Sequence, residues 1–65
     1  MNRIPRYFKS ITATCLCGNG KGAQMVITKN ENGYHGVDVD NGKRWRVLIG
    51  ILRNENCFRI DRIER

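Results

Sequence analysis

The sequence predicts an all-β domain. It is expected to be a small five-stranded antiparallel sheet that is either strongly bent or rolled into a partly open barrel of SH3-like, Sm-like or OB-like type. Three observations support this prediction. The pair Asn-Gly, which favours type I′ hairpin turns, occurs at positions 19–20, 32–33 and 41–42. The segments between these pairs are rich in Val, Ile and Thr, which are typical of strands. Apolar and polar residues also tend to alternate along these segments, as in a half-buried strand.

Four turns separate the predicted strands, and the fourth turn is the polar run at residues 54–56. The strands are expected at residues 10–17, 23–29, 34–40, 44–52 and 57–61. Gly36 and Gly50 fall inside two of them, where glycine often marks a bend or bulge. A bent sheet buries one face of every strand. Helix signals are nearly absent, so we expect no helix longer than about two turns.

Alternation predicts which side chains point into the core. In the third predicted strand it places the two valines inward and Asp38 and Asp40 outward. In the fourth it places Trp45 inward, although Leu48 and Leu52 on the opposite face compete for the core. The expected inward set is Ile11, Ala13, Met25, Ile27, Val37, Val39, Trp45, Val47, Ile49, Phe58 and Ile60.

The chain of 65 residues has room for a single domain. We interpret residues 10–65 as that domain and residues 1–9 as a basic N-terminal arm. A domain of this size has little material for a deep cleft. It contains one His and no spacing that suggests a catalytic triad, so we do not expect an enzyme.

The formal net charge is +6, from 12 Lys and Arg against 6 Asp and Glu. Such a balance favours a polyanionic partner, although solubility alone also accounts for a charge of this size. We expect the fifth strand to pair with the fourth and thereby spread basic side chains along the sheet. The residues expected to contact nucleic acid are Arg44, Arg46, Arg59 and Arg62 on these strands, Arg3, Arg6 and Lys9 in the arm, and Tyr34 beside a turn.

The three cysteines are an odd number, which argues against a closed disulfide framework. No apolar run suits a signal peptide or a membrane helix, so we expect reduced thiols in a cytoplasmic protein that does not bind membranes. Cys15 and Cys17 are expected on the inward face of the first strand. With His35 and Cys57 they would make four zinc ligands, but a Cys-x-Cys pair on a strand lacks the usual zinc spacing. We therefore expect no metal and no cofactor.

The resulting hypothesis is a small basic module that contacts nucleic acid or a nucleic-acid-handling complex. The alternative is a small regulator or inhibitor that binds an acidic surface of a larger protein. Exposed aromatic rings among the basic residues would favour nucleic acid. An uncovered apolar patch at Leu16, Leu48 and Leu52 would favour a protein partner.

Overall fold

The computed structural model describes residues 1–65 and contains one antiparallel five-stranded sheet and one short helix. The predicted fold class is therefore confirmed, as is the absence of a long helix. No helix in the chain is both long enough and apolar enough to cross a membrane. The elements in chain order are β1 Ser10–Cys15, β2 Gln24–Asn30, β3 Gly33–Asp38, β4 Arg44–Val47, α1 Ile49–Arg53 and β5 Phe58–Glu64.

The Asn-Gly pairs lie in or beside the connections between strands, but they do not form type I′ turns. Such a turn needs a positive φ at both central residues, and no residue other than glycine has one. The β2–β3 connection instead uses Gly33, whose φ is 115°. A side chain at that position would be strained, which accounts for a glycine there.

The strands are arranged in the order β4-β3-β2-β1-β5. The predicted pairing of the fourth and fifth strands is wrong, because β5 pairs with β1 and leaves β4 and β5 as the two edges of the sheet. In this order β1 to β4 are successive neighbours, and β5 returns to the other side of β1. The sheet is not closed between β4 and β5.

The second half of the fourth predicted strand is the helix α1. A strand over residues 44–52 would extend for about 30 Å, and β3 offers no partner beyond the pair formed by Tyr34 and Val47. The amides of Ile51 and Leu52 instead donate hydrogen bonds to the carbonyl of Leu48, both at 3.0 Å. This helical turn buries Leu52 completely and leaves Ile51 exposed, so Leu52 takes the place in the core that alternation assigned to its neighbours.

The face of β3 that meets the core is the opposite of the predicted one. Val37 and Val39 are exposed, whereas Gly36 and Asp38 point inward. Gly36 fits because it has no side chain: a Cβ there would lie 3.2 Å from the sulfur of Met25. The face of β3 that points inward is therefore the one that carries Gly36, because the position beside Met25 has no room for a side chain.

Asp38 is buried although it was predicted to be exposed. Its Oδ1 accepts hydrogen bonds from the backbone amides of Asp40 at 2.8 Å and Asn41 at 3.4 Å. These bonds form an Asx-type turn that ends β3 and satisfies the carboxylate inside the structure.

The core contains six of the eleven side chains predicted to point inward. The others are exposed (Val37, Val39 and Trp45) or half-buried (Ile49 and Ile60). Cys17 is exposed, against prediction, because β1 ends at Cys15. The buried apolar residues are Ile11, Ala13, Cys15, Met25, Ile27, Val47, Leu52 and Phe58.

The N-terminal segment, residues 1–9, lies against the domain. The side-chain amide of Asn2 donates to the carbonyl of Leu52 at 3.1 Å and to that of Phe58 at 2.7 Å. Ile4 and Phe8 pack against the core. The segment therefore covers the junction of α1 and β5 and holds its basic side chains close to the sheet.

Candidate nucleic-acid interface

The edge strand β4 carries a cluster of cations around a tryptophan. We call residues 43–46 (Lys43, Arg44, Trp45 and Arg46) the β4 patch. Arg44 and Arg46 pair with Val37 and His35 of β3 and lie on the outer face of the sheet. Trp45 pairs with Gly36 and lies on the inner face, but at the open edge. The strand therefore presents arginines on one side and an aromatic ring on the other.

Trp45 is the exposed aromatic ring of this patch. It was predicted to be in the core, yet 43% of its surface is exposed because no strand covers the outer edge of β4. The ammonium nitrogen of Lys43 lies 5.5 Å from the centre of its ring, a cation–π distance. An accessible indole beside a cation is the combination that single-strand binders use to hold a base and its phosphate.

An open apolar cavity of about 360 Å³ adjoins Trp45. It lies where the sheet fails to close, between β4, α1, the start of β5 and the loop of residues 18–22. The exposed Leu48 and Ile51 line it together with the buried Met25 and Phe58. A cavity of this size is within the range of small-ligand pockets.

The cations of β5 lie at the edge opposite the β4 patch. One row of cross-strand neighbours crosses the outer face from Arg62 through Thr12, Val26 and Val37 to Arg44. The two arginines therefore share a face but stand about four strand spacings, or roughly 19 Å, apart along the sheet. The predicted cations of the sheet thus form two groups rather than one.

Arg59 is the cation least available to a partner. Its Nε donates to Asp61 at 2.8 Å, and it is the only Lys or Arg side chain in a salt bridge. Asp61 also accepts a hydrogen bond from Thr14. The bonds from Thr14 and Arg59 hold the pKa of Asp61 below its usual value, so the carboxylate stays charged beside Arg59.

A second group of cations and aromatic rings lies where the N-terminal segment meets the sheet. We call Arg6, Tyr7, Phe8, Lys29 and Tyr34 the arm patch. Tyr34 is half-buried and stacks on Phe8, with 6.2 Å between ring centres, while Lys29 lies 5.6 Å from its ring centre. Tyr7 is 79% exposed, with the Arg6 guanidinium 5.8 Å from its ring centre.

The two other predicted cations of the segment, Arg3 and Lys9, are exposed outside this patch. The backbone amide of Lys9 donates to the carbonyl of Glu64 at 2.7 Å, which places Lys9 at the end of β5. The terminal ammonium group hydrogen-bonds to Glu55 at 2.8 Å and lowers the pKa of that carboxyl. The segment is therefore attached near its beginning and at its end.

The four soft ligands considered for zinc are not brought together. No group of three or more His, Cys, Asp or Glu side chains lies close enough to hold a metal ion. Cys15 is buried in the core, and His35 lies on β3, two strands away from β1.

Sequence reasoning missed the central residue of the candidate site. Trp45 was assigned to the core, Lys43 and Ile51 were not among the predicted contacts, and Leu48 was considered only as part of an apolar patch for a protein partner. The signal for Lys43 and Trp45 is the run of residues 43–46, in which cations stand on both sides of a tryptophan.

The surface so described combines unpaired cations with accessible aromatic rings at two places. Comparison of the chain with protein-family models, with curated proteins and with solved structures gave no match.

Proposed function

We propose that the chain binds single-stranded nucleic acid, with the β4 patch as the principal contact. The observation that carries the proposal is the exposed ring of Trp45 with Lys43 beside it, on an edge strand whose other face carries Arg44 and Arg46. None of these three cations forms a salt bridge. Because no carboxylate neutralises these cations, a phosphate backbone can replace their counterions and gain affinity from counterion release.

A single strand suits this geometry better than a duplex. Reading a duplex requires an element that enters a groove, usually a helix or a two-stranded ribbon. The only helix has five residues, and β4 is an edge strand of four residues. An indole at an open edge can instead stack on a base that is already unpaired, a contact of about 1–3 kcal/mol per base.

The arm patch supplies a second place for a strand to bind. Tyr7 offers an exposed ring beside Arg6, and Lys29 lies nearby on β2. Tyr34 was predicted as a contact, but it is half-buried and stacked on Phe8. Its ring therefore holds Phe8 in the arm patch and has little free surface for a base.

The proposal is tested with a labelled 20-mer of single-stranded DNA or RNA titrated at low salt. Trp45 is the only tryptophan, so its fluorescence reports directly on stacking. We expect binding with quenching of Trp45 and a loss of about 1–3 kcal/mol in Trp45→Ala. Arg44→Ala removes one charge of the β4 patch. Its matched control is Arg65→Ala, which removes an exposed charge far from β4 in the sequence. Absence of binding at about 100 μM would rule out the proposal, since even non-specific contacts usually reach that range.

A second candidate function is binding to an acidic surface of another protein. The observation that favours it is the exposure of Leu48 and Ile51, at 56% and 44%, beside Trp45. Together they make an apolar centre with a basic rim, a composition found at protein interfaces. A pull-down from lysate with and without nuclease separates the two functions: a partner retained after nuclease, and lost with Leu48→Ser, supports this candidate.

A further inference from the structure

The chain fold brings Cys17 and Cys57 side by side. β1 and β5 are paired, with Cys15 opposite Phe58. The ladder continues one residue beyond both strands, since the amide of Leu16 donates to the carbonyl of Cys57 at 2.8 Å. Cys17 directly follows Leu16, so its backbone lies close to Cys57 although 39 residues separate the two cysteines in the sequence.

The two cysteines are close together, and both are at least partly accessible to reagents. Cys17 is exposed and Cys57 is half-buried. The neighbouring thiol of Cys57 raises the pKa of Cys17. Cys15 differs from both, because it is buried in the core and its thiol donates to the carbonyl of Cys17 at 3.0 Å. The three cysteines therefore divide into a pair and a single buried residue.

We propose that Cys17 and Cys57 are a thiol-oxidation site that closes reversibly to an intramolecular disulfide. A low-molecular-weight disulfide such as oxidised glutathione supplies the oxidising equivalents. The thiolate of one cysteine attacks a glutathione sulfur, which breaks the glutathione S–S bond and releases one glutathione thiolate. The thiolate of the other cysteine then attacks the protein sulfur of the mixed disulfide and releases the second. In total, the two cysteine thiols lose two electrons and two protons. Oxidised glutathione gains them and becomes two molecules of reduced glutathione.

Closure of this bond acts on the wall of the apolar cavity. Cys17 is followed by the loop of residues 18–22, and Asn19 and Gly20 of that loop line the cavity. Cys57 is followed by Phe58, which lines it from β5. The disulfide therefore ties this loop to the start of β5. The proposal does not depend on what binds the cavity.

The test equilibrates the full chain with mixtures of reduced and oxidised glutathione, followed by acid quenching, intact mass and peptide mapping. We expect the loss of two hydrogen atoms in mass, a drop from three free thiols to one, and a cross-link between the tryptic peptides that carry Cys17 and Cys57. The remaining thiol should react with an alkylating reagent only after denaturation, because Cys15 is buried.

Peptide mapping does not distinguish Cys15 from Cys17, because both fall in the same tryptic peptide. Cysteine variants therefore identify which sulfur is joined to Cys57. Cys15→Ala should keep the cross-link. Cys17→Ser and Cys57→Ser should lose it and stop at a mixed disulfide with glutathione, while their circular dichroism matches that of the unmodified chain. Stable glutathione adducts on the unmodified chain, dimers linked between chains, or loss of the cross-link in a folded Cys15→Ala variant would each overturn the proposal.

Discussion

Gly36 lies directly opposite Trp45 across the β3–β4 pair, on the inner face of the sheet. A Cβ at Gly36 would lie 3.2 Å from the sulfur of Met25 and 3.3 Å from a methyl carbon of Val47. The absence of a side chain at Gly36 therefore lets Met25 and Val47 pack closely in the core. Its cross-strand partner Trp45 lies on the edge strand β4, where the indole ring is exposed to solvent.

Gly36→Val should destabilise the domain by about 1–3 kcal/mol, the usual cost of overpacking a core. The matched control is Gly50→Ala in α1, where an added Cβ meets nothing within 4 Å. That change should be neutral or stabilise by up to about 1 kcal/mol, because alanine is the better helix former. Urea unfolding curves of both variants check this, and equal midpoints for the two would contradict the crowding at Gly36.

Leu52→Ala should cost about 2–5 kcal/mol, because its side chain is fully buried. Ile51→Ala, one residue away on the exposed side of α1, should cost less than about 1 kcal/mol. Denaturant unfolding of the two variants measures the difference. If residues 44–52 formed one continuous strand, the two costs would instead be reversed.

Oxidation of Cys17 and Cys57 should stabilise the fold. The bond closes a loop of about 40 residues, for which the chain-entropy model gives about 4 kcal/mol at 25 °C. Thermal unfolding of oxidised and reduced chain in parallel measures the effect, with oxidised Cys17→Ser as the control that should show none.

Affinity for single-stranded nucleic acid should fall linearly with the logarithm of salt concentration, with a slope of about −2 to −4 for three to five neutralised phosphates. Arg44→Ala and Arg46→Ala should each flatten that slope by about 0.7, since each removes one phosphate contact. Arg59→Ala should change it less, because Arg59 is already paired with Asp61. Equal effects at Arg44 and Arg59 would show that the β4 patch is not the main contact.

The stability of the domain should decline in acid partly through Asp61. Hydrogen bonds from Thr14 and Arg59 lower its pKa in the folded state, below the ordinary 3.8. A carboxyl with a lowered folded pKa contributes stability above its unfolded pKa and loses that contribution as the pH falls through its folded pKa. Unfolding midpoints measured from about pH 6 to pH 2 should therefore fall less steeply in Asp61→Asn than in the unmodified chain. An identical decline would mean that Asp61 contributes nothing.

Local patterns in the sequence determined the class of fold. The alternation of β1 and β2 correctly identified Ile11, Ala13, Met25 and Ile27 as core, because these central strands have one face buried along their length. The turn-forming pairs correctly divided the chain, since their positions depend on local backbone chemistry. The charge of +6 is likewise a property of composition and needs no structure.

Only the tertiary structure decided which elements are neighbours. β5 pairs with β1 because α1 redirects the chain after Val47, where β3 has no further residue to offer β4. The phase of β3 depended on the size of its neighbours Met25 and Val47, which left room for Gly36 alone. The exposure of Trp45 follows from the open edge of the sheet, and the proximity of Cys17 to Cys57 follows from the β1–β5 pairing. Both are consequences of strand order, a long-range property that local periodicity does not encode.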